Sequence, residues 1–293
     1  VRSLVGSEMC IRDRLKNETT YRFGGMCKNF FLLNGKKDLD NFDEYDIFDE
    51  YFILGKGSNV AFSENEFDGA VIQSKINYIN FDNKTNKLEL GSGTYLPDLS
   101  RFLKSKNLSD GEFLLGIPGT VGGALSMNAG CYGYEFLDYV EAFEYFDIKS
   151  KKIKTINKSQ INYGYRFTDI DDSIILSVTM TFPDGDPDKI SKNMKEFTNH
   201  RKNTQPSALY NAGSVFKNGE DYYAAELIEN AGLKGYKIDG VRVSEKHSNF
   251  FIADKDAKSS ALYKLVNFVK DSIFDKYDVM LQEEIIFVGD FSW

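Results

Sequence analysis

Residues 116–130 read Gly-Ile-Pro-Gly-Thr-Val-Gly-Gly-Ala-Leu-Ser-Met-Asn-Ala-Gly, and this stretch says more about the fold than any other part of the chain. Five of its fifteen residues are glycine, and none is charged. Glycine loses much conformational entropy on folding, so this density indicates a backbone that approaches another group closely. Exposed backbone N–H groups in series bind anions, and the hydroxyls of Thr120 and Ser126 can add donors. The stretch predicts a pyrophosphate-binding loop, and a rigid structural turn is the alternative.

Composition and charge narrow the classes of function. With 42% apolar and 27% charged residues over 293 positions, the chain is typical of a globular protein with one large domain or two smaller ones. The net charge of −8 argues against a nucleic-acid partner, because phosphate backbones bind to basic surfaces.

The cysteines and the apolar runs indicate where the protein works. Cys10, Cys27 and Cys131 are too few and too scattered for a disulfide framework or a metal site, which favours a reducing compartment. No apolar run approaches the roughly eighteen residues of a membrane span. We therefore expect a cytoplasmic protein that is not inserted in a membrane. We also expect a monomer.

Two short segments suggest how the chain is organised. Residues 1–14 carry charges throughout, lack an initiator methionine and contain no apolar region of a secretory leader, so we expect a non-native segment outside the fold. Residues 183–188 combine turn formers and acids, which is typical of a linker. We predict a larger β-rich module over 15–183 and a smaller α+β domain over 184–293.

Apolar periodicity predicts the main elements. Helices are expected at Pro97–Lys106, Lys189–Asn203, Tyr223–Ala231 and Ser259–Tyr277. Strands are expected at Ala70–Gln73, Tyr78–Phe81, Lys87–Leu90, Tyr139–Ile148, Lys152–Ile156, Ser173–Phe182 and Glu284–Val288. The last helix has its apolar residues on one face, and Gly232 stands where a helix C-cap belongs.

The glycines permit only some kinds of nucleotide site. No glycine-lysine-hydroxyl triplet has the spacing of a P-loop, and Gly91-Ser92-Gly93 begins a Rossmann pattern that lacks its third glycine. A second glycine-rich turn, Gly55–Asn59, follows the apolar run Tyr51–Leu54. Two such turns, well separated in sequence, predict one ligand that touches both, and a dinucleotide has the required length.

Eight segments occur in the order typical of one enzyme family. They extend from about Asn17 to Gly289 and are Thr19–Gly25, Leu54–Asn59, Gly116–Gly133, Tyr165–Arg166, Gly213–Asn218, Ala231–Gly235, Val243–Phe250 and Leu281–Gly289. In these segments the chain resembles the UDP-N-acetylenolpyruvoylglucosamine reductases. The short interval between Arg166 and Ser214 resembles the subtype that lacks an extra substrate-covering loop.

The resemblance implies a fold and a cofactor. The fold is α+β, with an FAD-binding module of the vanillyl-alcohol-oxidase/PCMH type, made of two α+β subdomains, and a smaller α+β substrate-binding domain after it. FAD would bind non-covalently, and this agrees with the interpretation of both glycine-rich turns. The residues that the resemblance places at the cofactor are Gly55, Gly57, Ser58, Asn59, Pro118, Gly119, Thr120, Gly122, Gly123, Asn128 and Gly130.

The implied activity is the NADPH-driven reduction of UDP-N-acetylglucosamine-enolpyruvate to UDP-N-acetylmuramate. This oxidoreductase reaction belongs to peptidoglycan synthesis, and so to cell-wall biogenesis, cell shape and cell division. Reducing an enol ether conjugated to a carboxylate needs a hydride at one carbon, a proton at the other and stabilisation of the enolate between them. The resemblance assigns Ser214 as the proton donor, with Arg166 and Glu284 stabilising the enolate.

Each of these three residues also has a plainer interpretation. Serine is a poor acid, and Ser214 could be a turn residue beside Gly213. The guanidinium fork of Arg166 suits a carboxylate, although an arginine among aromatic residues is common on surfaces. Strand alternation sends Glu283 and Glu284 to opposite faces, so only one can point into a site, and the family register selects Glu284.

For the substrate, the resemblance selects Lys217, Asn218 and His247, although a lone histidine is as readily structural. Ile286 stands where the family usually has an arginine. Two other functions remain open. One is another FAD-dependent oxidoreductase on the same scaffold, with FAD attached covalently through Cys131. The other is a non-catalytic relative that binds a flavin or a nucleotide sugar.

Overall fold

The computed structural model of the chain describes residues 8–11, 14–44, 50–170, 172–207 and 210–291. The α-helices in this part are α1 (Leu96–Ser105), α2 (Val121–Met127), α3 (Pro187–Thr204), α4 (Ala224–Asn230) and α5 (Ser259–Tyr277). The strands are β1 (Glu8–Ile11), β2 (Cys27–Leu33), β3 (Tyr51–Leu54), β4 (Val60–Phe62), β5 (Phe67–Ser74), β6 (Ile79–Asp82), β7 (Lys87–Gly91), β8 (Gly130–Cys131), β9 (Tyr134–Glu135), β10 (Val140–Asp147), β11 (Lys152–Asn157), β12 (Tyr163–Gly164), β13 (Phe167–Thr168), β14 (Ser173–Thr181), β15 (Lys237–Ile238), β16 (Val241–Val243), β17 (Phe251–Ala253) and β18 (Ile286–Val288).

The chain divides into two compact units, each assembled from segments that are distant in sequence. Unit 1 comprises the described parts of Val1–Ile11, Asn29–Lys56 and Gly69–Arg201, and unit 2 those of Arg12–Lys28, Gly57–Asp68 and Lys202–Trp293. This division differs from the predicted modules over 15–183 and 184–293, because unit 2 includes two segments from the first 68 residues. The modules themselves stay a prediction.

Unit 1 is built on two sheets. One has the strand order β1-β2-β5-β3, and the other is antiparallel with the order β11-β10-β14-β7-β6. One apolar cluster packs α1 and α2 against the five-stranded sheet, through residues such as Leu99, Leu125 and Val178. A second cluster contains residues of both sheets, such as Phe31 and Phe146. Six predicted strands are present here, as β5, β6, β7, β10, β11 and β14.

Helix α2 was not predicted. The second half of the glycine-rich stretch folds as this helix, so the expectation of a loop over the whole stretch is wrong. Thr120 is its N-cap, and Thr120 Oγ1 accepts a hydrogen bond from the N–H of Gly123 at 3.4 Å. Asn128 ends the helix in the left-handed region, at φ 44°. The other four α-helices agree with the predicted ranges to within two residues at each end.

Unit 2 packs α4 and α5 with the three-stranded sheet β15-β16-β17 and the parallel pair β18-β4. Helix α5 spans its predicted range, and its apolar stripe is fully buried: Leu262, Leu265, Val266, Val269 and Ile273. The same core includes Tyr21, Phe23 and Ala61 from the first part of the chain. Gly232 follows α4 with φ 76°, as predicted for a C-cap.

Two expectations about connecting segments are wrong. Glu8–Ile11, predicted to lie outside the fold, pairs as β1 with β2, while residues 1–7 and 12–13 lie outside the described residues. The predicted linker is packed within unit 1, because the N–H of Gly185 donates to Asn107 O and the N–H of Ser109 donates to Pro183 O. Among the described helices, none combines the length and apolar composition needed to cross a bilayer.

Candidate functional site

The two glycine-rich segments meet in unit 1. A Cβ atom added to Gly55 would lie 3.1 Å from Thr120 Oγ1 and 3.7 Å from Gly123 Cα. Gln73, in β5, donates from Nε2 to Gly55 O at 2.8 Å. Gln73 is 3% exposed, and its Oε1 has no hydrogen-bond partner within the described structure. The turn at Gly55 therefore lies directly against the beginning of α2, as expected if one ligand contacts both segments.

The backbone amides at the beginning of α2 are hydrogen-bonded within the protein. The N–H groups of Val121 and Gly122 donate to the carbonyls of Thr94 and Ser92, at 2.9 and 2.8 Å. The expectation that these N–H groups are free to bind an anion is therefore wrong. Gly122 is glycine because its backbone approaches Ser92 closely, where an added Cβ would lie 3.1 Å from Ser92 Cβ. Pro118 and Gly119 are half-buried in the connection before the helix.

Packing explains some of the predicted cofactor glycines but not Gly123. A Cβ on Gly130 would lie 2.3 Å from Tyr134 O, and Gly57, in unit 2, has the left-handed φ of 66°. A Cβ on Gly123 would meet nothing nearer than Thr120 Oγ1 at 3.6 Å. Because glycine inside a helix costs about 1 kcal/mol relative to alanine, the open face at Gly123 fits a ligand that approaches α2.

Arg166 is anchored on the end of the same stretch. It lies in the turn of the hairpin β12–β13, with a left-handed φ of 55°. Its Nη2 donates to Gly130 O at 2.6 Å and its Nη1 to Asn128 O at 3.4 Å, and the guanidinium carbon lies 4.9 Å from the ring centroid of Tyr165. Its guanidinium is thus held beside the residues after α2.

Asn128 links this hairpin to α2 from a fully buried position. Its Oδ1 accepts the N–H of Leu137 at 3.1 Å, and its Nδ2 donates to Glu135 Oε2 at 2.8 Å and to Gly164 O at 3.0 Å. The side chain is 0% exposed, so it serves the protein's own hydrogen bonds, and the predicted place of Asn128 at the cofactor stays a prediction. These hydrogen bonds hold the hairpin that carries Arg166.

The predicted proton donor and acid lie close together in unit 2. Ser214 forms a β-bridge with Phe250, and the next residue, Val215, accepts the N–H of Glu284 at 2.8 Å. Asn59, predicted at the cofactor, donates from Nδ2 to Glu284 O at 2.8 Å. The half-buried Ser58 precedes it. The backbone at Glu284 is therefore bonded both to the Ser214 segment and to the turn that contains Asn59.

The neighbouring residue, Glu283, forms an ion pair with Lys270. Glu283 Oε1 accepts a hydrogen bond from Lys270 Nζ of α5 at 2.7 Å, and both side chains are half-buried. This ion pair gives Glu283 a structural role, and the selection of Glu284 for the site stays a prediction.

The predicted substrate residues have mixed surroundings. Lys217 continues the Ser214 segment and is half-buried. Asn218 Oδ1 accepts the N–H of Ala224 at 3.1 Å, which caps the beginning of α4. His247 is half-buried, and its Nδ1 has no hydrogen-bond partner in the part of the chain that the structure describes. Burial, followed by the charge of Lys234, lowers the pKa of His247, which favours a neutral imidazole.

Arg201, in α3, is not among the site residues that the sequence predicts. A Cβ on Gly116 would lie 3.2 Å from Arg201 Cδ, so the guanidinium packs at the start of the glycine-rich stretch. Burial lowers the pKa of Arg201. The groups that act to raise this pKa are Cys131, Tyr132 and Tyr95, and no carboxylate of the described residues is among them. An unpaired, largely buried cation favours an anionic ligand nearby. No local pattern marks Arg201, because its neighbours are distant in sequence.

Two family models match the chain. The model of the UDP-N-acetylenolpyruvoylglucosamine reductase C-terminal domain matches residues 205–288, and an FAD binding domain model matches residues 49–156. The UDP-N-acetylenolpyruvoylglucosamine reductase of Fusobacterium nucleatum is 35% identical over 280 residues, which cover 94% of this chain and 98% of the relative. This chain belongs to the UDP-N-acetylenolpyruvoylglucosamine reductase family. The family member from Clostridium tetani is 33% identical over 98% of this chain and 94% of its own length.

The reductase family also accounts for the fold. The crystal structure of UDP-N-acetylenolpyruvylglucosamine reductase from Thermus caldophilus matches with a TM-score of 0.84 and 28% identity, over 97% of this chain and 100% of that chain. The predicted family and the α+β fold with an FAD-binding module are confirmed. The roles of individual residues stay predictions.

Proposed function

We propose that this chain is an FAD-dependent UDP-N-acetylmuramate dehydrogenase, which uses NADPH to reduce UDP-N-acetylglucosamine-enolpyruvate in peptidoglycan precursor synthesis. The observation that carries this proposal is the match to curated reductases over nearly the whole length of both chains. A relative that had lost the activity could also lose its reacting groups, whereas Ser214, Arg166 and Glu284 are all in place.

The residues of unit 1 fit the cofactor. The open face of Gly123, the adjoining turn at Gly55 and the unpaired charge of Arg201 would hold FAD near α2. Gly122 and Gly130 would let the backbone pack closely enough to form this surface. When bound there, FAD would supply the hydride chemistry that links NADPH to the substrate double bond.

Ser214 donates the proton in this proposal. Its backbone is held by the β-bridge to Phe250, and the following residue is bonded to Glu284. A serine hydroxyl is a very weak acid, so it serves only a strongly basic carbon such as the one next to a forming enolate. A fixed hydroxyl direction is therefore more important here than an acidic pKa.

Arg166 and the protonated, uncharged carboxyl of Glu284 stabilise the charge that develops on the substrate carboxylate. The guanidinium of Arg166 donates to the carbonyls of Gly130 and Asn128. Anchoring on those carbonyls orients the guanidinium fork before the substrate arrives, which is the condition for electrostatic stabilisation without reorganisation. Lys217, Asn218 and His247 are proposed to contact the nucleotide sugar.

The decisive experiment separates the two half-reactions of Ser214→Ala. With the purified FAD-loaded protein held anaerobic, NADPH should bleach the flavin at the wild-type rate. Addition of UDP-N-acetylglucosamine-enolpyruvate should restore the colour more slowly than in wild type, by a factor of about 10² to 10⁴ if a general acid is lost. Ser159→Ala, at an exposed serine, is the control. If Ser214→Ala recovers its colour at the wild-type rate, Ser214 is not the proton donor. If the wild-type protein is colourless and does not bind added FAD, the protein is not a flavoenzyme.

We further propose that the enzyme is a cytoplasmic monomer. Both NADPH and nucleotide sugars are cytoplasmic metabolites, so the reaction needs no export of the chain. Light scattering during size-exclusion chromatography should give one species near 33.3 kDa. A stable species of twice that mass would contradict the monomer.

A further inference from the structure

The segment Ser214–Lys217 runs between two other segments of unit 2. On one side Ser214 pairs with Phe250, and on the other Phe216 pairs with Glu283. The pairing is irregular at Val215, whose N–H donates to Asn249 O while its carbonyl accepts from Glu284, each at 2.8 Å. In a regular strand, both backbone groups of a residue bond to the same neighbour. Because of this irregularity, the backbone N–H and carbonyl of the next residue, Phe216, need other hydrogen-bond partners.

The side chain of Asn249 supplies those partners. Its Oδ1 accepts the N–H of Phe216 at 3.0 Å, and its Nδ2 donates to the carbonyl of Phe216 at 2.8 Å. One amide thus satisfies both backbone groups of a residue that is 1% exposed. With the bond that the N–H of Val215 donates to Asn249 O, Asn249 takes part in three hydrogen bonds that hold the two residues after Ser214.

We propose that Asn249 is a positioning residue for Ser214, which fixes the direction of the Ser214 hydroxyl through the backbone of Val215 and Phe216. This inference rests on the proposed role of Ser214 as proton donor. Asn249 is 3% exposed and acts only through the backbone, without touching the substrate. A buried amide costs free energy unless all its groups are bonded, and here every bond serves the segment of the reacting serine.

The proposal predicts which step of the reaction is sensitive. Proton transfer depends steeply on geometry, and a displacement near 1 Å costs roughly 10²-fold in rate. Reduction of the flavin by NADPH does not use the Ser214 hydroxyl. A defect in Asn249 should therefore slow the half-reaction with the enolpyruvyl sugar and leave the half-reaction with NADPH unchanged.

Asn249→Asp is the sharpest variant. It keeps the shape and the acceptor for the N–H of Phe216, and it loses the donor to the Phe216 carbonyl. Asn249→Ser is a second variant without a charge. It replaces Asn249→Asp in the test if the buried carboxylate of that variant prevents folding. Asn267→Asp is the control, because Asn267 Nδ2 also donates to a backbone carbonyl of unit 2, that of Tyr263 within α5.

The measurement is anaerobic stopped-flow spectroscopy of both half-reactions on proteins loaded with FAD. In the Asn249 variants we expect wild-type reduction by NADPH, reoxidation by UDP-N-acetylglucosamine-enolpyruvate slowed about 10- to 100-fold, and a larger solvent deuterium isotope effect on that step. An equal loss in both half-reactions, or a loss in neither, would overturn the proposal.

A double-mutant cycle separates this inference from the proposed function. In the Ser214→Ala background, Asn249→Asp should slow reoxidation no further, because the group that it positions is absent. Additive losses would mean that Asn249 acts independently of Ser214. If Ser214→Ala alone leaves reoxidation unchanged, the proton-donor role fails, whatever the Asn249 variants do.

Discussion

At the residue scale, the hydrogen bonds of Asn128 explain how a turn can hold a charged side chain in place. Asn128 accepts from Leu137, donates to Glu135 and Gly164, and offers its own carbonyl to Arg166. Asparagine tolerates the left-handed φ of 44° that ends α2, so one residue both terminates a helix and ties the hairpin of Arg166 to it.

Asn128→Asp tests this arrangement. The substitution keeps the acceptor and the tolerance of positive φ, but it turns the donors to Glu135 and Gly164 into acceptors and places two carboxylates together. We expect the free energy of unfolding in urea to fall by about 1–3 kcal/mol, as for a buried group left unsatisfied. KM for the enolpyruvyl sugar should rise, because the hairpin that carries Arg166 loses the hydrogen bond from Asn128 Nδ2 to Gly164 O. Asn162→Asp, at an exposed asparagine that donates to Asp169, is the control; equal stabilities of the two variants would contradict the role.

Cys131 bears on the covalent alternative. Its thiol donates to Phe113 O at 3.6 Å, and burial raises its pKa to about 11, against the opposing charges of Arg201 and Arg166. The thiolate is the nucleophile, so at neutral pH this thiol is nearly unreactive. We expect acid precipitation to release all the flavin and leave a polypeptide of unmodified mass, and Cys131→Ala to keep FAD and activity. Covalent attachment would be supported if flavin stayed in the acid precipitate of the wild type but was released from that of Cys131→Ala.

At the element scale, helix α5 is capped by a residue from elsewhere in unit 2. Its N-cap residue, Lys258, makes no side-chain cap. Instead, Glu64 Oε2 accepts from Ser259 Oγ at 2.7 Å and from the N–H of Ser260 at 3.1 Å, and Oε1 accepts from Ser260 Oγ at 2.8 Å. A carboxylate at this end also complements the helix dipole. The cap fastens α5 to the segment after β4.

This cap makes part of the stability dependent on pH. Burial acts to raise the pKa of Glu64, but the hydrogen bonds from Ser259 and Ser260 and the charge of Lys258 outweigh it, so the pKa lies below its usual 4.5. A carboxyl with a lowered folded-state pKa contributes stability above its unfolded pKa and loses it as the pH falls through the folded one. Glu64→Gln should lower the free energy of unfolding by about 1 kcal/mol at pH 7.

The pH series checks the sign of this effect. The difference between wild type and Glu64→Gln in urea unfolding should be full at neutral pH and shrink below pH 4.5, as Glu64 itself becomes protonated. Glu220→Gln, at an exposed glutamate of the same unit, should cost little at any pH. If the stability difference between wild type and Glu64→Gln grew as the pH fell, Glu64 would not stabilise α5 as a carboxylate cap.

The elements also show what local sequence can predict. Helix α5 was predicted end to end, because its periodic stripe is a local pattern. Helix α2 was missed, because its glycines read as a loop, while its stability comes from packing against Ser92 and the cap of Thr120. The family pattern selected Ser214, Arg166 and Glu284, but not the partners that hold them. Those partners, such as Asn249, lie far away in sequence, and their hydrogen bonds follow from the tertiary fold.

At the scale of the whole molecule, the two units are not consecutive in sequence. Strands β2 and β5 each begin in unit 2 and continue in unit 1, so the chain passes between the units several times. A boundary placed from composition, such as the one at residues 183–184, assumes that each module is one continuous stretch. The long-range pairs of unit 2, such as β18 with β4, carry no local signal, which is why the sequence did not reveal this organisation.

A fragment of residues 184–293 tests this organisation. Unit 2 takes Tyr21, Phe23 and Ala61 into its core, and the hydroxyl of Tyr21 donates to Phe251 O at 2.9 Å. Without them the fragment loses two buried aromatic side chains, each costing about 3–5 kcal/mol when removed, and β18 loses its partner strand. A domain is typically stable by only about 5–15 kcal/mol, so the fragment should not unfold cooperatively on heating, as followed by circular dichroism beside the full chain. A sharp transition and dispersed amide resonances would show instead that the C-terminal region folds as a module of its own.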